Sequence, residues 1–117
     1  MRKLLLVMLI LLATQSQAFA EQWRITAYCA CAKCCGRWAD GRTASNKAVK
    51  YGYVANNWLP FGTKVSIEGI GDFVVEDRGA KRYFGSKTNH KKALDIYMPS
   101  HSEARKFGVK YRKVVIK

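Results

Sequence analysis

The chain has 117 residues, 21 of them basic and 8 acidic, for a net charge of +13. One small domain fills that length, which excludes a second hydrophobic core. Such a charge favours polyanionic surroundings, but charge alone carries no specificity and fits a solvated basic surface equally well.

Residues 1–20 read as a secretory signal peptide. Arg2 and Lys3 form its basic start, residues 4–13 an almost unbroken apolar run, and Ala18-Phe19-Ala20 a small-x-small cleavage site. The run is short for a membrane span, and polar residues 14–17 follow it. No cysteine stands at the cleavage point, which argues against a lipoprotein. The mature chain is expected to begin at Glu21, leaving 19 basic and 8 acidic residues and a net charge of +11. It is expected to be exported, to the periplasm or to the extracellular side and cell wall, with no transmembrane segment after cleavage. Outside the cytoplasm the polyanions are wall polymers and lipid head groups, so no nucleic acid partner is expected.

Residues 23–28 read as a first strand, with Ile25 and Thr26 as β-formers. Cys29, Cys31, Cys34 and Cys35 follow, four cysteines within seven residues. In an exported chain, clustered cysteines favour disulfides. Adjacent Cys34 and Cys35 cannot easily bond to each other, which leaves Cys29 with one of them and Cys31 with the other. A tetrahedral zinc site of four thiolates is the rival. Its usual pattern uses two separated pairs, so disulfides are preferred and no metal is assigned. A catalytic thiol is the weakest reading, since no histidine lies nearby in sequence.

Asp40-Gly41 marks a turn. Residues 51–55 read as a short strand, followed by Asn56 and Asn57. Trp58 is either core or a platform for a sugar ring. In residues 63–68, Val65 and Ile67 alternate with polar side chains, the period of a half-buried strand. Gly69 and Gly71 bracket a turn, and Phe73, Val74 and Val75 open the return strand of a hairpin. Simple alternation puts Phe73, Val75 and Asp77 on one face. A carboxylate on an apolar face is costly unless paired or hydrogen-bonded, and Arg78-Gly79 breaks the strand, which sets Asp77 near a cleft.

Residues 81–92 form a basic loop holding Tyr83 and Phe84, either solvated or suited to stacking on sugar rings. His90 reads as a surface residue. In a third strand Leu94, Ile96 and Met98 share one face, and Asp95 and Tyr97 the other. Ser100 or Ser102 caps a short helix that Gly108 stops. His101, at its start, reads as structural or exposed. Residues 109–116 form the last strand. On residue chemistry alone, Asp77 as a turn cap and Asp95 in a buried ion pair stand level with a catalytic reading.

Gly-Thr-Lys-Val at 62–65, Glu-Asp-Arg-Gly at 76–79, Leu-Asp-Ile-Tyr-Met at 94–98 and Ala-Arg-Lys-Phe-Gly-Val-Lys at 104–110 resemble the 3D domain. This is a bacterial and phage family named for three aspartates. Thr-Ala-Tyr-Cys at 26–29 and Cys-Cys-Gly at 34–36 strengthen the resemblance, which covers residues 26–116. It implies a mainly β fold, a six-stranded double-psi β-barrel with one short helix. The same barrel occurs in membrane-bound lytic transglycosylase A, in muralytic stationary-phase survival proteins and in expansin-like domains. Thr43-Ala44-Ser45 is similar to the element that lines the family's cleft, with Asn46 where glycine is usual; asparagine tolerates left-handed backbone. The family's first aspartate falls near Asn56, where this chain offers asparagine, or alanine, depending on the loop alignment. Asparagine can hold a sugar or a carboxylate but cannot take up a proton.

The resemblance implies action on peptidoglycan glycan strands by a monomer that needs no cofactor. Asp95 matches the catalytic aspartate of a lytic transglycosylase, and Asp77 would orient the sugar or raise the pKa of Asp95. Thr43, Ser45 and Asn56 would supply hydrogen bonds in the cleft, with Trp58 and Tyr97 as further binding residues. An ordinary glycoside hydrolase is a second expectation, needing two carboxylates about 5–9.5 Å apart. A non-catalytic wall-binding or wall-loosening module is a third, which the altered first aspartate favours. A small basic toxin or inhibitor stapled by disulfides fits the composition but not the aspartate-bearing strands.

Overall fold

The computed structural model describes residues 22–117. The expected signal peptide lies outside them. Six strands make up the body: β1 (Gln22–Tyr28), β2 (Tyr53–Ala55), β3 (Lys64–Ile67), β4 (Gly71–Asp77), β5 (Ala93–Tyr97) and β6 (Lys110–Ile116). Short helices α1 (Ala32–Cys35), α2 (Lys81–Phe84) and α3 (His101–Phe107) lie in the connections, with a 3-10 turn at Gly36–Trp38.

The strands close into a mixed barrel in the order β1-β5-β2-β4-β3-β6. The β1–β5 and β2–β4 pairs are parallel and the other four antiparallel. The expected hairpin is β3–β4, and β6 closes the wall between β1 and β3. Period-two alternation sends Trp23 and Ile25, Val65 and Ile67, Phe73 and Val75, and Leu94 and Ile96 into one core with Val54, Leu59 and Val114. Of the closing strand, only Val114 is buried; Val115 and Ile116 are exposed.

One departure from simple alternation sets up the site. The β2–β4 register runs Tyr53↔Val74 and Val54↔Val75, then skips to Ala55↔Asp77. Glu76 is the extra residue of a β-bulge. The sequence expectation that Asp77 shares the core face of Phe73 and Val75 is thereby corrected. The bulge turns Asp77 to the side of Ala55, away from the core, and bulges commonly re-aim a side chain in this way. Glu76 itself is buried, where it accepts from Ser45 Oγ at 2.6 Å and pairs with Lys47 Nζ at 3.2 Å. The Ser45 hydroxyl first, and Lys47 after it, hold this carboxyl below the usual carboxylate range against the cost of burial.

Candidate functional site

Because Ile25, Val54, Val75, Leu94 and Ile96 point inward, their neighbours present the opposite face. The registers line these neighbours up: Thr26 is opposite Asp95, Asp95 opposite Ala55, and Ala55 opposite Asp77. One row across four strands therefore carries both aspartates, with an alanine between them. The row borders a cavity of about 840 Å³, within the range of about 300–1,000 Å³ typical of small-ligand sites. Tyr28, Ala55, Asp77 and Asp95 line the strand side, Arg42, Thr43 and Ala44 one flank, and Arg78, Tyr83 and Phe84 the other; Cys34 and Cys35 border the end.

Asp77 is held firmly. Tyr28 donates to its Oδ2 at 2.6 Å, and the Ala44 and Arg78 amides both donate to Oδ1 at 2.9 Å. Burial, and then the Asp77 carboxylate, push the Tyr28 phenol well above its ordinary pKa, so it stays a donor. Asp95 is held by a single bond, from Thr26 Oγ1 at 2.9 Å. Burial raises its pKa to about 6; the Thr26 bond and the Arg24 charge oppose that rise, and the Asp77 charge adds to it. Two carboxylates in one cleft thus have unlike surroundings, the condition under which one carries a proton near neutrality.

The flanks are fixed by short-range chemistry. Asn46 takes the left-handed backbone expected of it, with φ 66°, and turns residues 43–47 back so that the Ala44 amide meets Asp77. On the other flank the Asn57 side chain bonds both backbone groups of Gly79 and the Gly85 carbonyl, tying α2 to β2. A Cβ on Gly79 would lie 2.5 Å from the Phe84 ring, so this wall needs glycine there. Tyr83 is left as the exposed aromatic of the cleft, with the Arg24 and Arg82 guanidinium groups 5.1 and 4.6 Å from its ring centre.

Most of the expected binding residues have their polar groups engaged by other partners. Thr43 borders the cavity, but its hydroxyl is engaged by Ser45 Oγ and the Lys47 amide. Ser45 turns to Glu76. Asn56 is fully buried; its Oδ1 accepts from the Trp58 and Leu59 amides and its Nδ2 donates to the Ala93 carbonyl. Trp58 stacks on His90 at 4.3 Å, packs against Trp23, and donates to the Lys91 carbonyl. Tyr97 packs edge-on against Tyr28 and does not line the cavity. Thr26, Tyr28 and the Ala44 amide were missed, because their roles depend on strand register and a loop fold that no local pattern announces.

The cysteines are a second correction. All four are free thiols. Cys29 Sγ lies 2.8 Å from Cys31 Sγ and 3.2 Å from Cys34 Sγ, well beyond the roughly 2.05 Å of a disulfide bond. His101 Nδ1 lies 3.7, 3.5 and 3.4 Å from the sulfurs of Cys29, Cys31 and Cys34. These four donor atoms all fall within 4.8 Å of one another. His101, expected to be merely structural or exposed, is therefore part of a potential ligand set. Cys35 is not; its thiol donates to the Cys29 carbonyl at 3.2 Å, and burial pushes it up to about 11.

The fold explains the meeting. Tyr28 and Tyr97 end parallel neighbouring strands in register, and the Met98 amide extends the ladder to the Tyr28 carbonyl at 2.7 Å. The chain segments leaving β1 and β5 thus emerge side by side. Cys29 follows the first, and Ser100 caps α3 on the second by accepting the Glu103 amide, which sets His101 at the first helical position.

No family model matches the chain, and no curated protein matches it at a significant level.

Proposed function

We propose that this chain is an exported, peptidoglycan-active double-psi barrel of the 3D type, and that its cleft acts as a lytic transglycosylase on the bond between N-acetylmuramic acid and N-acetylglucosamine. The observation that carries the reading is Asp95, a carboxyl raised to about 6 by burial, in a cleft beside a second carboxylate. The closed mixed barrel with two parallel strand pairs supports the double-psi assignment, and the sequence resemblance supports the substrate.

In this mechanism protonated Asp95 gives its proton to the glycosidic oxygen as the C1–O bond breaks. The resulting Asp95 carboxylate takes the proton from the muramyl 6-hydroxyl while that oxygen bonds to C1. The product is a 1,6-anhydro sugar; no water is consumed, and Asp95 ends protonated as it began. Asp77, fixed by three donors, stands beside Asp95 and orients the sugar. Tyr83 offers a ring face, and Arg42 and Arg78 line the cleft where a lactyl or stem-peptide carboxylate would sit.

One observation favours a second reading, a wall-binding barrel without turnover: the position between the two aspartates is Ala55. The test is to incubate purified sacculi with the mature chain and with Asp95→Asn, then analyse released material by mass spectrometry. Anhydro-muropeptides from the wild type alone support the transglycosylase, whereas reducing-end fragments point to a hydrolase. If neither form releases anything while both sediment with sacculi, the enzymatic reading fails and the binding one stands.

A further inference from the structure

We propose that Cys29, Cys31, Cys34 and His101 Nδ1 bind one Zn²⁺ in a closed tetrahedral site that braces the end of the cleft. The argument is independent of the reaction proposed above.

Zinc–sulfur bonds of about 2.3 Å and zinc–nitrogen bonds of about 2.0–2.1 Å place the sulfur-to-nitrogen edges of a tetrahedron at about 3.6 Å. The three observed edges are 3.7, 3.5 and 3.4 Å. The three sulfur-to-nitrogen edges therefore already match those of a filled tetrahedron. The two shortest sulfur edges, 2.8 and 3.2 Å, are an ångström or less below the roughly 3.8 Å of a filled tetrahedron. Cys34 is exposed and Cys31 half-buried on a surface turn, so these two can move by that amount.

The local backbone gathers the sulfurs. Cys31 precedes the single turn of α1, and the Cys34 and Cys35 amides close that turn onto the Cys31 carbonyl. The turn brings Cys34 back over Cys31. On binding, three thiols lose their protons to solvent and His101 coordinates as neutral imidazole, leaving the site with a net charge of −1. A basic chain tolerates that charge easily.

The donor set selects the metal. Three thiolates and one imidazole suit zinc, and with all four positions filled by protein the site is structural rather than catalytic. It also reconciles thiols with an exported chain, because coordinated thiolates are protected from pairing as disulfides. The site joins the end of β1 to the start of α3, 67 residues apart between Cys34 and His101. Cys34 borders the cleft, and Cys29 follows the Tyr28 whose phenol holds Asp77. The metal therefore fixes the wall from which Tyr28 reaches across.

The experiment is elemental analysis of the purified mature chain, with Cys35→Ser, Cys34→Ser and His101→Ala alongside. The expected result is one zinc per chain in the wild type and in Cys35→Ser, with a loss of affinity of tenfold or more in the other two. Should those two fold poorly, cobalt substitution of the wild type gives a second readout: tetrahedral d–d bands together with sulfur-to-cobalt charge transfer. Mapped disulfides with no bound metal overturn the proposal. So does copper in place of zinc, or loss of the metal in Cys35→Ser as severe as in Cys34→Ser.

Discussion

Tyr28 donates its phenolic hydrogen bond to Asp77 at 2.6 Å, joining β1 to β4 although β5 and β2 lie between them. The bond crosses the row that holds Asp95 and Ala55, so one contact sets both the position of Asp77 and the shape of the cleft. Tyr28→Phe removes only this donor and keeps the ring against Tyr97. The expected loss is about 1–3 kcal/mol of stability, the usual size for a hydrogen bond to a charged group. Urea unfolding should show a lower midpoint with an unchanged slope. An unchanged midpoint would mean that the Ala44 and Arg78 amides suffice to hold Asp77.

Asp95 makes stability and activity fall together as pH rises. Its folded pKa, about 6, lies above the ordinary 3.8, so its contribution to stability is full below the ordinary value and is lost as pH rises through 6. Asp95→Asn, which still accepts from Thr26, should therefore stabilise the fold by about 1–3 kcal/mol at pH 8 and leave it unchanged near pH 3. On the proposed mechanism, kcat/KM of the wild type should fall about tenfold per pH unit above about 6, as the proton donor is lost. Thr26, Arg24, Asp77 and Tyr28 surround the group, so Arg24→Gln should move the break to higher pH. A break that stays put in Arg24→Gln would assign the titration to another residue.

The strands were legible because alternation records which side chains face a core, and the caps at Ser100 and Gly108 follow from local chemistry. Both aspartates were legible as misplaced charges in apolar strands. What escaped was long-range. The bulge at Glu76 leaves no mark in sequence, yet it decides which face Asp77 takes. His101 could not be joined to the cysteines, because their meeting depends on β1 and β5 ending as parallel neighbours. Asn56 looked like a cleft residue beside the aspartates, but its two acceptor contacts and one donor contact make it the buried pin of the β2 turn.

The buried Glu76 makes the bulge sensitive to acid. Its folded pKa is depressed, chiefly by Ser45, so its contribution is present above the ordinary carboxylate pKa and is lost as pH falls through the folded value. Ser45→Ala removes the 2.6 Å bond and leaves Lys47 as the remaining side-chain partner. A loss of about 1.5–3 kcal/mol at pH 7 is expected, narrowing steadily as pH falls below 4. Thermal unfolding followed from pH 7 to pH 3 checks it; a penalty that does not narrow would show that Ser45 acts through loop packing rather than through Glu76.

Adding a third carboxylate separates the two positions between which the sequence could not choose. At Asn56 the side chain is fully buried and its Nδ2 donates to the Ala93 carbonyl. Asn56→Asp replaces that donor with a lone pair facing a carbonyl, and should cost about 3–5 kcal/mol, as an uncompensated buried charge does. At Ala55 the new carboxylate joins the cleft row directly between Asp77 and Asp95. Like charges in one cleft oppose ionisation, so Ala55→Asp should raise the Asp95 pKa above 6 while leaving the β2 turn intact. An NMR titration of the carboxyl carbons reads the shift, and amide exchange at Trp58 and Leu59 reads the turn. If Ala55→Asp leaves the Asp95 titration unmoved, the two side chains do not share one cleft, and the two-carboxylate description of the site is wrong.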